Sequence, residues 1–211
     1  MVESRTSLLT EVSDYYSEKL ALHGETPRGV DWNGEVSQKL RFGELCRIID
    51  DRDKFSLNDL GCGYGALFDF LHSRYSGCSY SGIDISEGMI EAAKIRYQGV
   101  ENTRFILADT PDEVADYSLA SGIFNVRLGS SDEQWLSYIE STLDILDRTS
   151  RVGFSFNCLT RYSEKGKMRE YLYYADPCML FDFCKQRYSK NVALFHDYDL
   201  YEFTIQVRKT L

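Results

Sequence analysis

The stretch "NDLGCGYGALFDFL", residues 58–71, sets Gly61, Gly63 and Gly65 within five positions and follows them at once with an apolar, helix-forming run. Glycine costs backbone entropy and buries no side chain, so three of them mark a turn that a substituted backbone cannot make. The elements on either side of the turn say what it is for.

Residues 55–60 read as a short apolar strand and 64–75 as a helix, so the glycines join the two. Beyond them strands at 78–84, 103–108, 117–124 and 151–157 alternate with helices at 86–98 and 131–148. In the last helix Leu136, Ile139, Leu143 and Leu146 form a core-facing stripe. Alternation of strand and helix implies parallel pairing through right-handed crossovers, with helices on both faces of one sheet. The end of the chain breaks the pattern: "NVALFH" (191–196) and "YEFTIQVRK" (201–209) are separated only by "DYDL", too short for a parallel crossover, which predicts an antiparallel hairpin. The expected fold is therefore α/β, a doubly wound, Rossmann-like, seven-stranded mixed sheet with an antiparallel C-terminal hairpin.

Two further helices are expected ahead of the first strand. One spans 7–22, with Leu8, Leu9, Val12, Tyr15, Tyr16 and Leu20 at helical spacing. The other runs from 36, with Val36, Leu40, Leu45, Ile48 and Ile49 on its apolar side. Residues 1–211 are read as one domain, in which 1–35 form a lid-like helix and loop and 36–211 the α/β core. The connection "TRYSEKGKMREYLYYADPCMLFDF" (160–183) is polar and tyrosine-rich, and is expected to wall a pocket.

The chain has 211 residues and a formal net charge of −9. That charge argues against a nucleic-acid partner, because affinity for phosphate backbones comes from clustered Lys and Arg. No run approaches the roughly 20 apolar residues of a membrane span, and the charged N-terminal stretch is unlike a signal peptide, so a soluble, cytoplasmic protein is expected. The six cysteines lie apart without a C-x-x-C pair, which predicts neither a disulfide framework nor a metal site.

In an open parallel sheet the ligand lies beyond the carboxyl ends of the strands. Asp59 stands just before the first glycine, Asp84 ends the second strand, Asp109 ends the third and Asn125 follows the fourth. A carboxylate at the end of the second strand suits a pair of ribose hydroxyls. Asp109 could accept from an adenine amine held between apolar neighbours such as Ile85 and Leu107 or Thr110. An acidic pocket suits a cation better than a diphosphate.

These residues resemble the class I S-adenosylmethionine-dependent methyltransferases over roughly 36–208. "DLGCGYG" is similar to that family's D/E-x-G-x-G-x-G motif, at Asp59, Gly61, Gly63 and Gly65. The resemblance implies S-adenosylmethionine as cofactor, Asp84 as the ribose acid and Asp109 as the adenine-side acid. Cys62, Ile85, Thr110 and Asn125 complete the expected cofactor set. "SGIFNVR" stands where many DNA and protein-glutamine amide methyltransferases carry an N-P-P-Y type signature after the fourth strand, which together with the acidic charge favours a small-molecule acceptor over a protein one. Tyr16, Trp32, Arg161 and Tyr174 are the candidate acceptor contacts. A general base is optional, because the cofactor's sulfonium already activates the methyl group. Two alternatives compete: a non-catalytic S-adenosylmethionine-binding protein, and a nicotinamide-binding Rossmann domain, for which Gly61, Gly63 and Ala66 also satisfy G-x-G-x-x-G/A.

Overall fold

A computed structural model describes residues 2–50 and 52–210. The glycine turn links β1 (Phe55–Leu60) to α3 (Ala66–His72), as its composition predicts. Two helices precede β1, namely α1 (Val2–His23) and α2 (Glu35–Cys46). The alternation then continues through β2 (Cys78–Asp84), α4 (Glu87–Arg96), β3 (Thr103–Leu107), β4 (Ala115–Ala120), α5 (Asp132–Arg148) and β5 (Ser150–Leu159). A helix α6 (Pro177–Arg187) and the pair β6 (Asn191–Phe195) and β7 (Glu202–Arg208) close the chain.

The strands form one sheet in the order β3-β2-β1-β4-β5-β7-β6. The first five run parallel, and β7 pairs antiparallel with both β5 and β6, which is the predicted hairpin inserted with its second strand inward. Strand order reverses between β1 and β4, the point at which crossovers leave for opposite faces and open a crevice at the strand ends.

Each face of the sheet carries its own apolar layer. Phe42 and Leu45 of α2 and Phe68 and Leu71 of α3 pack with Leu57, Tyr80 and Tyr117 on one side. On the other, Trp135, Ile139, Leu143 and Leu146 of α5 and Leu180 and Cys184 of α6 meet Phe154, Phe156, Ile205 and Val207. Full burial of a large apolar side chain contributes about 1.5–3 kcal/mol, so these layers hold the sheet rigid beneath the crevice. The α5 stripe is fixed at its start by a reciprocal cap, in which the Ser131 side chain accepts from Gln134 N and the Gln134 side chain accepts from Ser131 N.

Several boundaries differ from the sequence reading, each for a local reason. Helix α3 starts at Ala66 because Gly65, its cap, holds a left-handed φ of 85°. Strand β4 ends at Ala120, short of 124, because Gly122 turns the chain with φ 78° and leaves no room for a Cβ, whose nearest neighbour would be Trp32 Cζ2 at 2.5 Å. Val36, expected on an apolar face, is exposed, since the buried side of α2 is carried by Gln38, Arg41, Phe42 and Leu45. Helix α6 was not read from the sequence. Asp176 caps it, accepting from Cys178 N and Met179 N, and Pro177 occupies its first position, where a missing N–H is harmless.

Five of the six cysteines are buried and Cys178 is exposed; all six are free thiols. Among the described residues no group of His, Cys, Asp and Glu is arranged to hold a metal, and no helix is long and apolar enough to cross a membrane.

Candidate functional site

The glycine turn is held from below by the end of β2. Asp84 Oδ2 accepts from Gly63 N at 2.8 Å and its Oδ1 from Ser86 N at 2.9 Å, so one carboxylate fixes both the turn and the start of α4. Ser86 caps that helix in turn, its Oγ accepting from Met89 N. Each oxygen of Asp84 keeps a second lone pair. Gly61, Gly63 and Gly65 all adopt positive φ. A Cβ on Gly61 would collide with Ile123, and one on Gly65 would approach Tyr97 and Phe105 to 2.6 and 3.1 Å. Gly65 thus serves the packing of β3 and α4 against the turn, whereas Gly63 faces outward toward Val30.

Asp59, the last residue but one of β1, is almost wholly buried, and its Oδ2 accepts from Tyr80 Oη at 2.5 Å. Its Oδ1 has no partner. Burial pushes the Asp59 carboxyl up to about 7, Tyr80 pulls against that, and the nearby Asp84 adds to it. Asp84 is raised as well, chiefly by burial, with its backbone donors opposing. A cation placed beside this pair would relieve both.

These groups line a cavity at the crevice, together with Cys62, Ile85, Ala108, Asp109, Ser121 and Ile123. Helix α1 lies along it: Arg5, Leu9, Val12 and Tyr16, one face at helical spacing, all line the cavity. The helix is tied to the strand ends by Ser13 Oγ, which donates to Ile85 O, and by the Ser17 and Ser86 hydroxyls at 3.0 Å. Arg5 bridges to Asp109 at 3.6 Å and to Ser141 at 2.8 Å. Among the described residues, three carboxylates, Asp59, Asp84 and Asp109, face the cavity against the single cation Arg5.

A second cavity adjoins the first and shares with it Tyr16, Val30, Trp32 and Gly122. Its far side is built by the connection after β5, through Ser163, Lys167, Arg169, Tyr171, Leu172 and Tyr174. Its floor is an ion pair buried across the sheet end, in which Arg41 Nε donates to Glu202 Oε2 at 2.7 Å. Asn157 Nδ2 donates to the same oxygen, and Asn157 Oδ1 accepts from Gly122 N at 2.7 Å. The Trp32 ring covers the Arg41 guanidinium, 3.9 Å from ring centre to Cζ.

Of the predicted cofactor residues, Asp59, Gly61, Cys62, Gly63, Asp84, Ile85 and Asp109 line the first cavity. Gly65 stands behind the turn, and Thr110 lies outside the lining, its hydroxyl on Asp109 Oδ1. Leu107 is half exposed, because Ala108 takes the inward position. Asn125 belongs to the second cavity instead, where its Oδ1 accepts from Leu159 N and ties the end of β4 to β5. Among the predicted acceptor contacts Tyr16 and Trp32 stand between the two cavities and Tyr174 lines the second. Arg161 lines neither, being held in an exposed ion pair with Asp176 at 2.6 Å. The sequence reading missed Arg5, Gln38, Ser121 and Tyr138 at the first cavity and Arg41 and Glu202 at the second. Tyr138 had a usable signal, lying three positions from Trp135 on the buried side of α5; the others had none.

Comparison with known proteins agrees with this geometry. The profile of a family described as "Methyltransferase domain" matches residues 58–148, from the glycine turn to the end of α5. A protein of Mycobacterium tuberculosis (strain ATCC 25618 / H37Rv) named "Putative methyltransferase Rv1506c" is 62% identical over 163 residues, covering 77% of this chain and 98% of its own length. A trans-aconitate 2-methyltransferase of Rhizobium rhizogenes is 36% identical over 94 residues, of whose length this chain spans 31%. Among solved structures, the DhpI–SAH complex superposes with a TM-score of 0.62 at 14% identity, covering 96% of this chain and 97% of that one. The SAM-bound magnesium protoporphyrin IX methyltransferase of Synechocystis PCC 6803 gives 0.58 at 13% identity, covering 83% and 81%. A glycine turn carrying acids at the ends of β1, β2 and β3, a fold shared with solved methyltransferase structures, and a relative 62% identical and matched over nearly its whole length place this chain in the methyltransferase family, with the Rossmann-like fold of the class I enzymes.

Proposed function

We propose that the first cavity holds S-adenosylmethionine and that the second holds a small-molecule acceptor, so that methyl transfer takes place at the wall formed by Tyr16, Trp32 and Gly122. The observation that carries this reading is the charge of the first cavity, three carboxylates against one cation among the described residues, with an unpartnered oxygen on Asp59. S-adenosylmethionine bears a sulfonium and an ammonium against one carboxylate and is a net cation. A dinucleotide pyrophosphate would bring two negative charges to the same carboxylates, so the lining favours the methyl donor over a nicotinamide cofactor.

In this reading Asp84 accepts from the ribose hydroxyls with its remaining lone pairs while it holds Gly63. Asp59 Oδ1 accepts from the ammonium group, and Asp109 faces the adenine amine. Bound S-adenosylmethionine, held by Asp59, Asp84 and Asp109, would supply a methyl group already activated by the sulfonium. The protein's task is alignment and exclusion of water, which the α1 face and Trp32 serve by covering the crevice. Residues 1–35 accordingly act as a lid on a single α/β domain.

Isothermal titration with S-adenosylhomocysteine and, separately, with NADH tests the assignment. Binding of the first and not the second is expected; the reverse order would overturn it.

A further inference from the structure

We infer that the second cavity takes an uncharged, polyhydroxylated molecule of sugar type as the methyl acceptor. The inference rests on the assignment of that cavity to the acceptor and adds its chemistry. Three observations carry it.

The first is charge balance. Among the described residues, Asp31, Asp199 and Glu202 face the cavity against Arg41, Lys167 and Arg169, so its three carboxylates match its three cations. A ligand with net charge of either sign would give up hydration without a matching field to replace it. An uncharged ligand meets no such penalty.

The second is the floor. Arg41 and Glu202 are each more than nine-tenths buried, and beyond their mutual bond Arg41 Nη1 and Glu202 Oε1 have no partner. Buried polar atoms are normally satisfied, and a pair left open on facing residues is a recognition feature to be explained. What remains open is a donor nitrogen on one partner of the ion pair and an acceptor oxygen on the other. A hydroxyl can accept from the first while donating to the second, and adjacent hydroxyls can divide the two roles. A carboxylate can only accept, and would set its charge against Glu202; an ammonium can only donate, and would set its charge against Arg41. The Trp32 ring that covers Arg41 must tip aside for a ligand to reach these atoms, which makes the ring a reporter of occupancy.

The third is the wall. Trp32, Tyr171, Tyr174 and Tyr201 give the cavity aromatic surface between its polar groups. The C–H faces of a pyranose carry slight positive charge and pack on the negative faces of such rings, leaving the hydroxyls at the ring edge to the polar atoms.

The test uses the whole chain saturated with S-adenosylhomocysteine. Saturation-transfer NMR is recorded with methyl α-D-glucopyranoside, methyl α-D-mannopyranoside and methyl α-L-rhamnopyranoside as probes, against citrate, trans-aconitate and spermidine. Tryptophan emission is followed in the same samples; of the two tryptophans, Trp135 is sealed in the core and serves as a constant background. At least one glycoside is expected to bind and to shift the emission, with the charged probes giving neither signal. Glu202→Gln removes the acceptor charge and leaves Arg41 as a net cation, so glycoside binding should weaken at least tenfold and citrate should begin to bind, with circular dichroism checking the fold. Should that variant not fold, the wild-type panel decides alone. Binding of a carboxylate or of spermidine in preference to every glycoside overturns the sugar-type inference and leaves the methyltransferase reading in place. Binding of no probe to protein that does bind S-adenosylhomocysteine overturns it equally. Failure of S-adenosylhomocysteine itself to bind would remove the reading on which the inference stands.

Discussion

Replacing Asp59 by asparagine should stabilise the empty protein and weaken its hold on the cofactor, with both effects set by pH. Asp59 lines the first cavity yet is almost wholly buried, and burial raises its carboxyl from the ordinary 3.8 to about 7. A raised carboxyl keeps its proton in the folded state while the unfolded chain has already lost its own, so folding stability falls as pH rises from about 4 to about 7 and is level above that. The gap between 3.8 and about 7 corresponds to about 4 kcal/mol at 1.36 kcal/mol per pH unit, of which about 2–3 kcal/mol is lost between pH 5 and pH 8. The amide in Asp59→Asn carries no such charge, and its oxygen can still accept from Tyr80. Thermal melts at pH 5 and pH 8 should therefore diverge: wild type loses about 5–10 °C relative to Asp59→Asn across that interval, taking 2–4 °C per kcal/mol for a chain of this size. Titration with S-adenosylhomocysteine should show the opposite preference. The ligand's ammonium favours ionised Asp59, so wild-type affinity rises about tenfold from pH 6 to pH 8 and that of Asp59→Asn stays level. A wild-type melt that tracks Asp59→Asn at both pH values would refute the reasoning, because the carboxyl would then carry no burial penalty.

The bond from Gly63 N to Asp84 can be broken from either end. Gly63→Val adds a branched side chain at φ 55°, with its Cβ 3.1 Å from Val30, and should abolish S-adenosylhomocysteine binding with a native-like circular dichroism spectrum. Asp84→Ala leaves two backbone donors open and should lower affinity at least tenfold, since a bond to a charged acceptor is worth about 1.5–3 kcal/mol; unchanged titrations for either would place the cofactor elsewhere. Amide exchange over residues 5–32 should slow when S-adenosylhomocysteine is added, reflecting closure of the α1 face and Trp32; exchange that is slow from the start and indifferent to ligand would make the segment ordinary packing.

How far the site could be read in advance follows from how each residue is placed. Asp59, Gly61, Gly63 and Asp84 were legible because short elements of fixed period set them: a strand, a turn and the next strand end bring them together with few alternatives. Thr110 and Arg161 line neither cavity and Asn125 lines the second, because each follows a strand end, where alternation stops and the side chain's direction is set by the loop. Arg41 and Glu202 lie 161 positions apart and each taken singly reads as a surface charge. The pairing of Arg5 with Asp109 was hidden for the same reason.

Hydrophobic period and turn chemistry, which act within a few residues, were enough to determine a parallel sheet, its reversed last strand and the place of the glycine turn. The tertiary structure alone decided which face of α1 lines the crevice, that β7 inserts between β5 and β6, and that a buried ion pair joins the second helix to the last strand. Those outcomes depend on which distant surfaces bury one another, and burial is a property of the assembled chain, which no local window of sequence contains.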